Sequence, residues 1–227
     1  MDTSKNSTEV RPDLRVFDSP DSLATAAAEF VADLARRTVA RTGTFHVAVS
    51  GGTTPTAMLA RLATLDVPWA ATVVYQVDER VVPIDDPERN LASLRSQLAL
   101  AHPVIEAMGV DDDDLIGATA SYEARLPARF DLVHLGLGPE GHTASLFPGD
   151  EVLEERRRLV ALTEVHHGHR RMTLTFPALA RADRVLWLVA GAQKRRALTM
   201  LLDANPSIPA SRVPAGRAVI MADRAAQ

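Results

Sequence analysis

The amino-acid sequence predicts an α/β protein: a doubly wound, mostly parallel sheet with helices on both faces. Three observations lead there. Between residues 14 and 221, short apolar runs of strand length alternate with segments whose apolar residues recur at helical spacing. The runs at 45–49, 130–135 and 184–190 are apolar nearly throughout, the mark of strands buried on both faces. Glycine turns follow those same runs, at 50–52, 136–141 and 191, and open α/β sheets bind ligands beyond the carboxyl ends of their strands.

In order, residues 1–13 read as a flexible polar arm and 14–227 as one α/β domain, since no repeat or linker divides them. Leu14-Arg15-Val16-Phe17 is a short first strand. Ser19 and Pro20 supply a cap and a first-turn proline for a helix. Leu23, Ala27, Phe30, Val31, Leu34 and Thr38 form its inner face, and Gly43 closes it. The strand at 45–49 runs into Ser50-Gly51-Gly52-Thr53-Thr54-Pro55, which opens a second helix. A strand at 72–77 precedes a helix at 90–100 capped by Asn90. The acidic run 111–114 is a solvated turn before a helix around 121–126. The strand at 130–135 leads into the loop 136–142, and a short helix is expected near 144–147. Strand-like segments at 159–163 and 172–176, a strand at 184–190, a helix at 192–202 and a strand at 218–221 complete the order.

Composition narrows the function. With 46% hydrophobic residues and only 4% aromatic, Ala, Val and Leu must fill the core. A net charge of −4 without a long basic run argues against nucleic-acid binding, although a locally positive pocket remains open. The absence of cysteine excludes disulfides, thiolate catalysis and Cys-ligated metals. The first residues lack the apolar core of a signal peptide and no apolar run reaches membrane-spanning length, so a cytoplasmic protein with no membrane partner is expected.

Chemistry concentrates at strand ends. In Gly136-Leu137-Gly138-Pro139-Glu140-Gly141-His142-Thr143, His142 has the residue type of a general base, and Glu140 that of the carboxylate orienting it. A helix beginning at Thr143 would disfavour the imidazolium. No Gly-x-Ser-x-Gly elbow is present, which favours direct activation of water. Ser50, Gly51, Gly52, Thr53 and Thr54 form either an anion cradle at a helix start or simply a tight connection. Asp78 and Arg80 suit proton transfer and anion binding, or a surface salt bridge with Glu79. Arg170 or Arg171, and Lys194, are placed to reach a phosphate. His166, His167 and His169 read as an exposed loop rather than a metal tract.

Together these segments resemble the 6-phosphogluconolactonase family. The resemblance runs from Val49 through Pro55, Asp78 through Pro83, Arg89-Asn90, Gly136 through Pro148, Arg171 through Thr175, and Gly191 with Lys194. It implies the fold shared with glucosamine-6-phosphate deaminases and ribose-5-phosphate isomerases. It further implies hydrolysis of 6-phospho-D-glucono-1,5-lactone in the oxidative pentose phosphate pathway, without metal or organic cofactor. By the same resemblance His142 activates water and Arg80 contacts substrate. The turn at 50–54, Arg171 and Lys194 hold the phosphate, and Asp78 supports Arg80. Where the family carries aspartate this chain has Glu140, one methylene longer, and the segment 163–170 lacks the family's proline-rich run. The expected partner is the phosphosugar lactone alone, bound by a monomer or weak homodimer. Two alternatives remain: an amino-sugar phosphate deaminase or isomerase, and a non-catalytic sugar-phosphate sensor. The first is disfavoured because Ala144-Ser145-Leu146-Phe147-Pro148 holds no acid, the second because the arm leaves no room for a DNA-binding helix-turn-helix.

Overall fold

Strands buried on two faces must send alternate side chains into two separate cores. In the computed structural model, which describes residues 12–214 and 217–227, they do so. Strands β1 (Asp13–Phe17), β2 (Phe45–Val49), β3 (Thr72–Gln76), β5 (Val104–Glu106), β6 (Leu132–Gly136), β9 (Val185–Val189) and β10 (Ala218–Asp223) form one parallel sheet in the order β1-β10-β9-β6-β2-β3-β5. Val47, Val49, Leu132, Leu186 and Leu188 point to one core with α1 (Pro20–Thr42), α2 (Thr53–Leu62) and α3 (Asn90–Gln97). Ala48, Val133, Leu135, Val185 and Trp187 point to the other, with α4 (Leu115–Arg125), α5 (Phe176–Leu179) and α6 (Arg195–Leu202). The predicted two-sided α/β architecture is therefore present.

The longest helix forms where its caps stand. Ser19 accepts from the Ser22 amide and Ser22 returns the bond to Ser19, Pro20 occupies the first turn, and Gly43 closes α1. A second, antiparallel sheet was not expected: β4 (Asp78–Arg80), β8 (Arg171–Leu174) and β7 (Val160–Leu162) pair in that order. The segment just past the carboxyl end of β3 is thus a strand whose partner lies about ninety residues on, with Asp78 opposite Thr173 and Arg80 opposite Arg171.

Several boundaries differ from expectation. β1 begins at Asp13, so the last residue of the expected arm is a strand residue; residues 1–11 lie outside the described ones. α4 starts at Leu115, where Asp114 accepts from the Gly117 amide, rather than near 121. No helix forms at 144–147. Ala144 takes a left-handed φ of 49°, and a turn closes from the Leu146 amide to the Thr143 carbonyl. Ser145 is pulled out of any helical path, because its amide donates to Thr173 Oγ1 and its hydroxyl to Asp78.

Strand order locates the site. From β2 the chain moves through β3 to β5 on one side, then returns to β6 on the other and continues to β9 and β10. The adjacent strands β2 and β6 therefore diverge in their connections, and the crevice beyond their carboxyl ends is the topological switch point.

Candidate active site

The crevice is an open cleft of about 460 Å³. Ser50 through Thr54, Asp78, Arg80, His142, Arg171 and Lys194 all line it, which brings together every candidate except Glu140. Glu140 stands behind His142 and accepts from its Nδ1 at 2.8 Å. The extra methylene relative to aspartate thus does not prevent the contact. With Nδ1–H donated, Nε2 carries the lone pair.

The glycines explain how the imidazole is set. A Cβ on Gly138 would lie 2.1 Å from His142 Nδ1, so the ring rests directly on that backbone. The Gly138 amide also donates to the His142 carbonyl at 2.8 Å, folding the loop back on itself. Phe147 covers the ring from the other side, centroids 4.4 Å apart. Gly138→Ala is expected to displace the imidazole and lower kcat at least tenfold with little change in KM, measured by steady-state kinetics on the folded variant.

Burial pushes the His142 imidazole below its ordinary value, outweighing the upward pull of the Glu140 carboxylate; Lys194 and His167 add to the lowering. The expected reason, a helix start at Thr143, is absent, and desolvation supplies the same result. Burial would raise Glu140, but its own backbone N–H and the His142 imidazole prevail and hold it below the usual carboxylate value.

Also in the cleft, Gly52 is the cap residue before α2 and makes no side-chain bond there. The amides of Gly51, Gly52, Thr53 and Thr54 make no hydrogen bond among the described residues, so four unpaired donors stand at a helix N-terminus that lines the cleft. Ser50 is the exception. Its amide donates to His134 Nδ1 at 3.3 Å and its hydroxyl to the His134 carbonyl at 3.2 Å, so both donors are spent inward while the residue still lines the cleft.

The central residues are also rearranged. Asp78 accepts from the Ser145 hydroxyl at 2.6 Å, and Arg80 is held by the Glu88 carbonyl and Asn90 Oδ1, not by Asp78. Burial pushes the Asp78 carboxyl up, opposed by Ser145 and by Arg171 and Arg80. Between Asp78 and Arg80, Glu79 is no surface salt bridge but a fully buried carboxylate. It accepts from Gln76 Nε2 and from the Arg80, Asn90 and Leu91 amides, all at 2.8 Å. Glu79 therefore caps α3, and Arg89, not Asn90, occupies the cap position. Asn90 is freed to reach the cleft, where a Cβ on Gly51 would collide with its amide at 2.2 Å. Of the two arginines considered, Arg171 is buried and lines the cleft, its guanidinium 5.1 Å from the Phe147 ring; Arg170 is exposed elsewhere.

Asn90, Ser145, Phe147, His167 and Gln193 also line the cleft and were not picked out as ligand-facing. Asn90, Ser145 and Phe147 fall within segments that carry the family resemblance, whereas His167 and Gln193 have only their place near a strand start or a glycine turn. Arg80, Arg171 and Lys194 with the four free amides outweigh Asp78, so the cleft is locally positive in a chain of net charge −4.

Unpaired amides at one strand end beside a carboxylate-held imidazole at the next mark the cleft of this α/β protein. The chain belongs to the family of glucosamine-6-phosphate isomerases/6-phosphogluconolactonase, which matches residues 18–221. It is 36% identical to a 6-phosphogluconolactonase of Mesorhizobium japonicum, over 85% of this chain and 86% of that one. It is 39% identical to the GDH/6PGL endoplasmic bifunctional protein of Oryctolagus cuniculus over 78% of this chain, but spans only 24% of that protein's length. The solved structure of a 6-phosphogluconolactonase from Shewanella baltica superposes with a TM-score of 0.86 at 24% identity, covering 94% of this chain and 98% of that one. Among the described residues no helix is long and apolar enough to cross a membrane.

Proposed function

We propose that the chain hydrolyses 6-phospho-D-glucono-1,5-lactone to 6-phospho-D-gluconate. The observation that carries this reading is the meeting of the four unpaired amides of residues 51–54 and the Glu140-held His142 in one cleft. Family membership, and the name 6-phosphogluconolactonase on relatives that match most of their length, support it.

In this reading the amides of residues 51–54, Arg171 and Lys194 hold the phosphate, and Arg80 contacts the sugar. His142 Nε2 takes a proton from water as the water oxygen attacks the lactone carbonyl. Glu140 stabilises the imidazolium that forms. The ring C–O bond of the tetrahedral intermediate then breaks, and the imidazolium returns its proton to the departing hydroxyl. No proton is gained or lost by the protein over the cycle.

The deciding measurement is lactone opening above the spontaneous rate, with the unphosphorylated lactone as control. Ammonia release from glucosamine 6-phosphate without lactone hydrolysis would replace this reading by the deaminase one. Tight sugar-phosphate binding without turnover would make the protein a sensor. Arg171→Ala and Lys194→Ala are each expected to raise KM about 10- to 100-fold with a smaller change in kcat, because a charged hydrogen bond to phosphate contributes about 1.5–3 kcal/mol. Unchanged KM values would remove these residues from the phosphate site.

A further inference from the structure

A hairpin of histidines brings its tip to the cleft. His166 and His169 pair through two amide–carbonyl bonds of 3.0 and 3.2 Å, and His167 (φ 50°) and Gly168 (φ 83°) make the two-residue turn between them. A non-glycine residue in the left-handed region is uncommon, and Asn, Asp and His are the types found there most. The hairpin is anchored on all sides. His166 Nε2 lies 2.7 Å from the buried Asp150 carboxylate, and its ring stacks on Phe147 with centroids 4.3 Å apart. Arg171 donates to the His169 carbonyl at 3.1 Å, and His169 Nε2 lies 2.9 Å from Glu88.

This anchored tip presents His167 to the cleft. Its Nε2 is 3.6 Å from Glu140 Oε1, the same oxygen that accepts from His142 Nδ1. Its ring stands edge-on to Phe147, which in turn packs on His142.

We propose that His167 is a positioning residue: by sharing Glu140 Oε1 with His142, it sets how strongly that carboxylate holds the base. The inference rests on reading His142 as the base. At 3.6 Å the contact is an ion-pair distance and not a hydrogen bond, so it acts through charge. Positive charge on His167 neutralises part of Glu140, which weakens the pull favouring protonated His142. The other groups facing His142 are Lys194 directly, and His166 and Arg171 beyond the Phe147 ring.

The test is His167→Asn, which keeps a residue type suited to the turn and removes the ring. The His142 C2 proton is followed by NMR against pH in the parent and the variant, its signal assigned by its loss in His142→Ala. The His142 midpoint is expected to rise by about half a pH unit in the variant. The acid limb of kcat/KM should move with it. His167→Gly, which the turn also accommodates, gives the same comparison should the first variant fold poorly. An unmoved midpoint overturns the proposal, and so does a raised KM with an unmoved midpoint, which would make His167 a substrate contact. A parent that does not hydrolyse the lactone defeats the functional reading above, while the titration still decides this one.

Discussion

His142→Ala is expected to lower kcat for lactone hydrolysis by about 10²–10⁴-fold, the usual contribution of a positioned general base, while KM stays within a few-fold. The expectation rests on which atoms are free. Nδ1 is committed to Glu140 at 2.8 Å, the ring lies between Gly138 and Phe147, and Nε2 is left to accept a proton. Burial holds the imidazole below its ordinary value, so it is neutral at neutral pH and loses activity only as acid protonates it. The pH profile of kcat/KM should therefore have its acid limb below the usual histidine range. Glu140→Gln keeps the side chain's length but not its charge. It should retain more activity than His142→Ala, because the ring can still be held while its imidazolium is no longer stabilised. A His142→Ala variant within tenfold of the parent would remove the base from the mechanism, leaving the cradle and cations as the whole site.

Why some of this was readable in the sequence and some not follows from where each signal resides. α1 carries its own boundaries in Ser19, Pro20 and Gly43, and β2, β6 and β9 carry theirs in largely apolar runs followed by glycine turns. Such signals are local. β4 and β5 have three residues each, and nothing in Asp78-Glu79-Arg80 marks a strand until Thr173 and Arg171 lie opposite it. The same limit hid Glu79. Its residue type suits a surface pair, and only the return of α3 beside β4 turns it into a buried cap. The loop of His142 was legible because glycine spacing and chemistry coincide within eight residues. The helix expected after it failed because Ser145 bonds to Asp78 and Thr173, partners no local pattern contains. Ser50 was readable from its position in the turn, but that its donors reach a histidine on the neighbouring strand was not.

That histidine makes the second large effect an acid one. His134 lies fully buried in β6, on the face packed by α1 and α2, and burial pushes its imidazole down to about 4. Its Nδ1 accepts from the Ser50 amide, so the proton sits on Nε2, which has no partner among the described residues. Protonation would place a charge in an apolar layer and turn the acceptor facing Ser50 into a donor. The unfolded chain binds this proton near the ordinary histidine value of about 6.5, the folded chain only near 4, so unfolding takes up a proton between them. Stability from this group is full above about pH 6.5 and falls as pH drops towards 4, by about 1.4 kcal/mol per unit and about 3 kcal/mol in all. His134→Leu removes that slope. It gives up the Ser50 acceptor but also the orphaned N–H, so near pH 7.5 the two proteins should unfold at similar urea concentrations, and at pH 5 the variant should be the more stable. Loss of the Ser50 bond should meanwhile loosen the start of the cradle and raise KM in the variant at every pH, which separates the brace from the base. Parallel pH dependences of the urea midpoint in parent and variant would show that His134 is not the group whose charging destabilises the fold in acid.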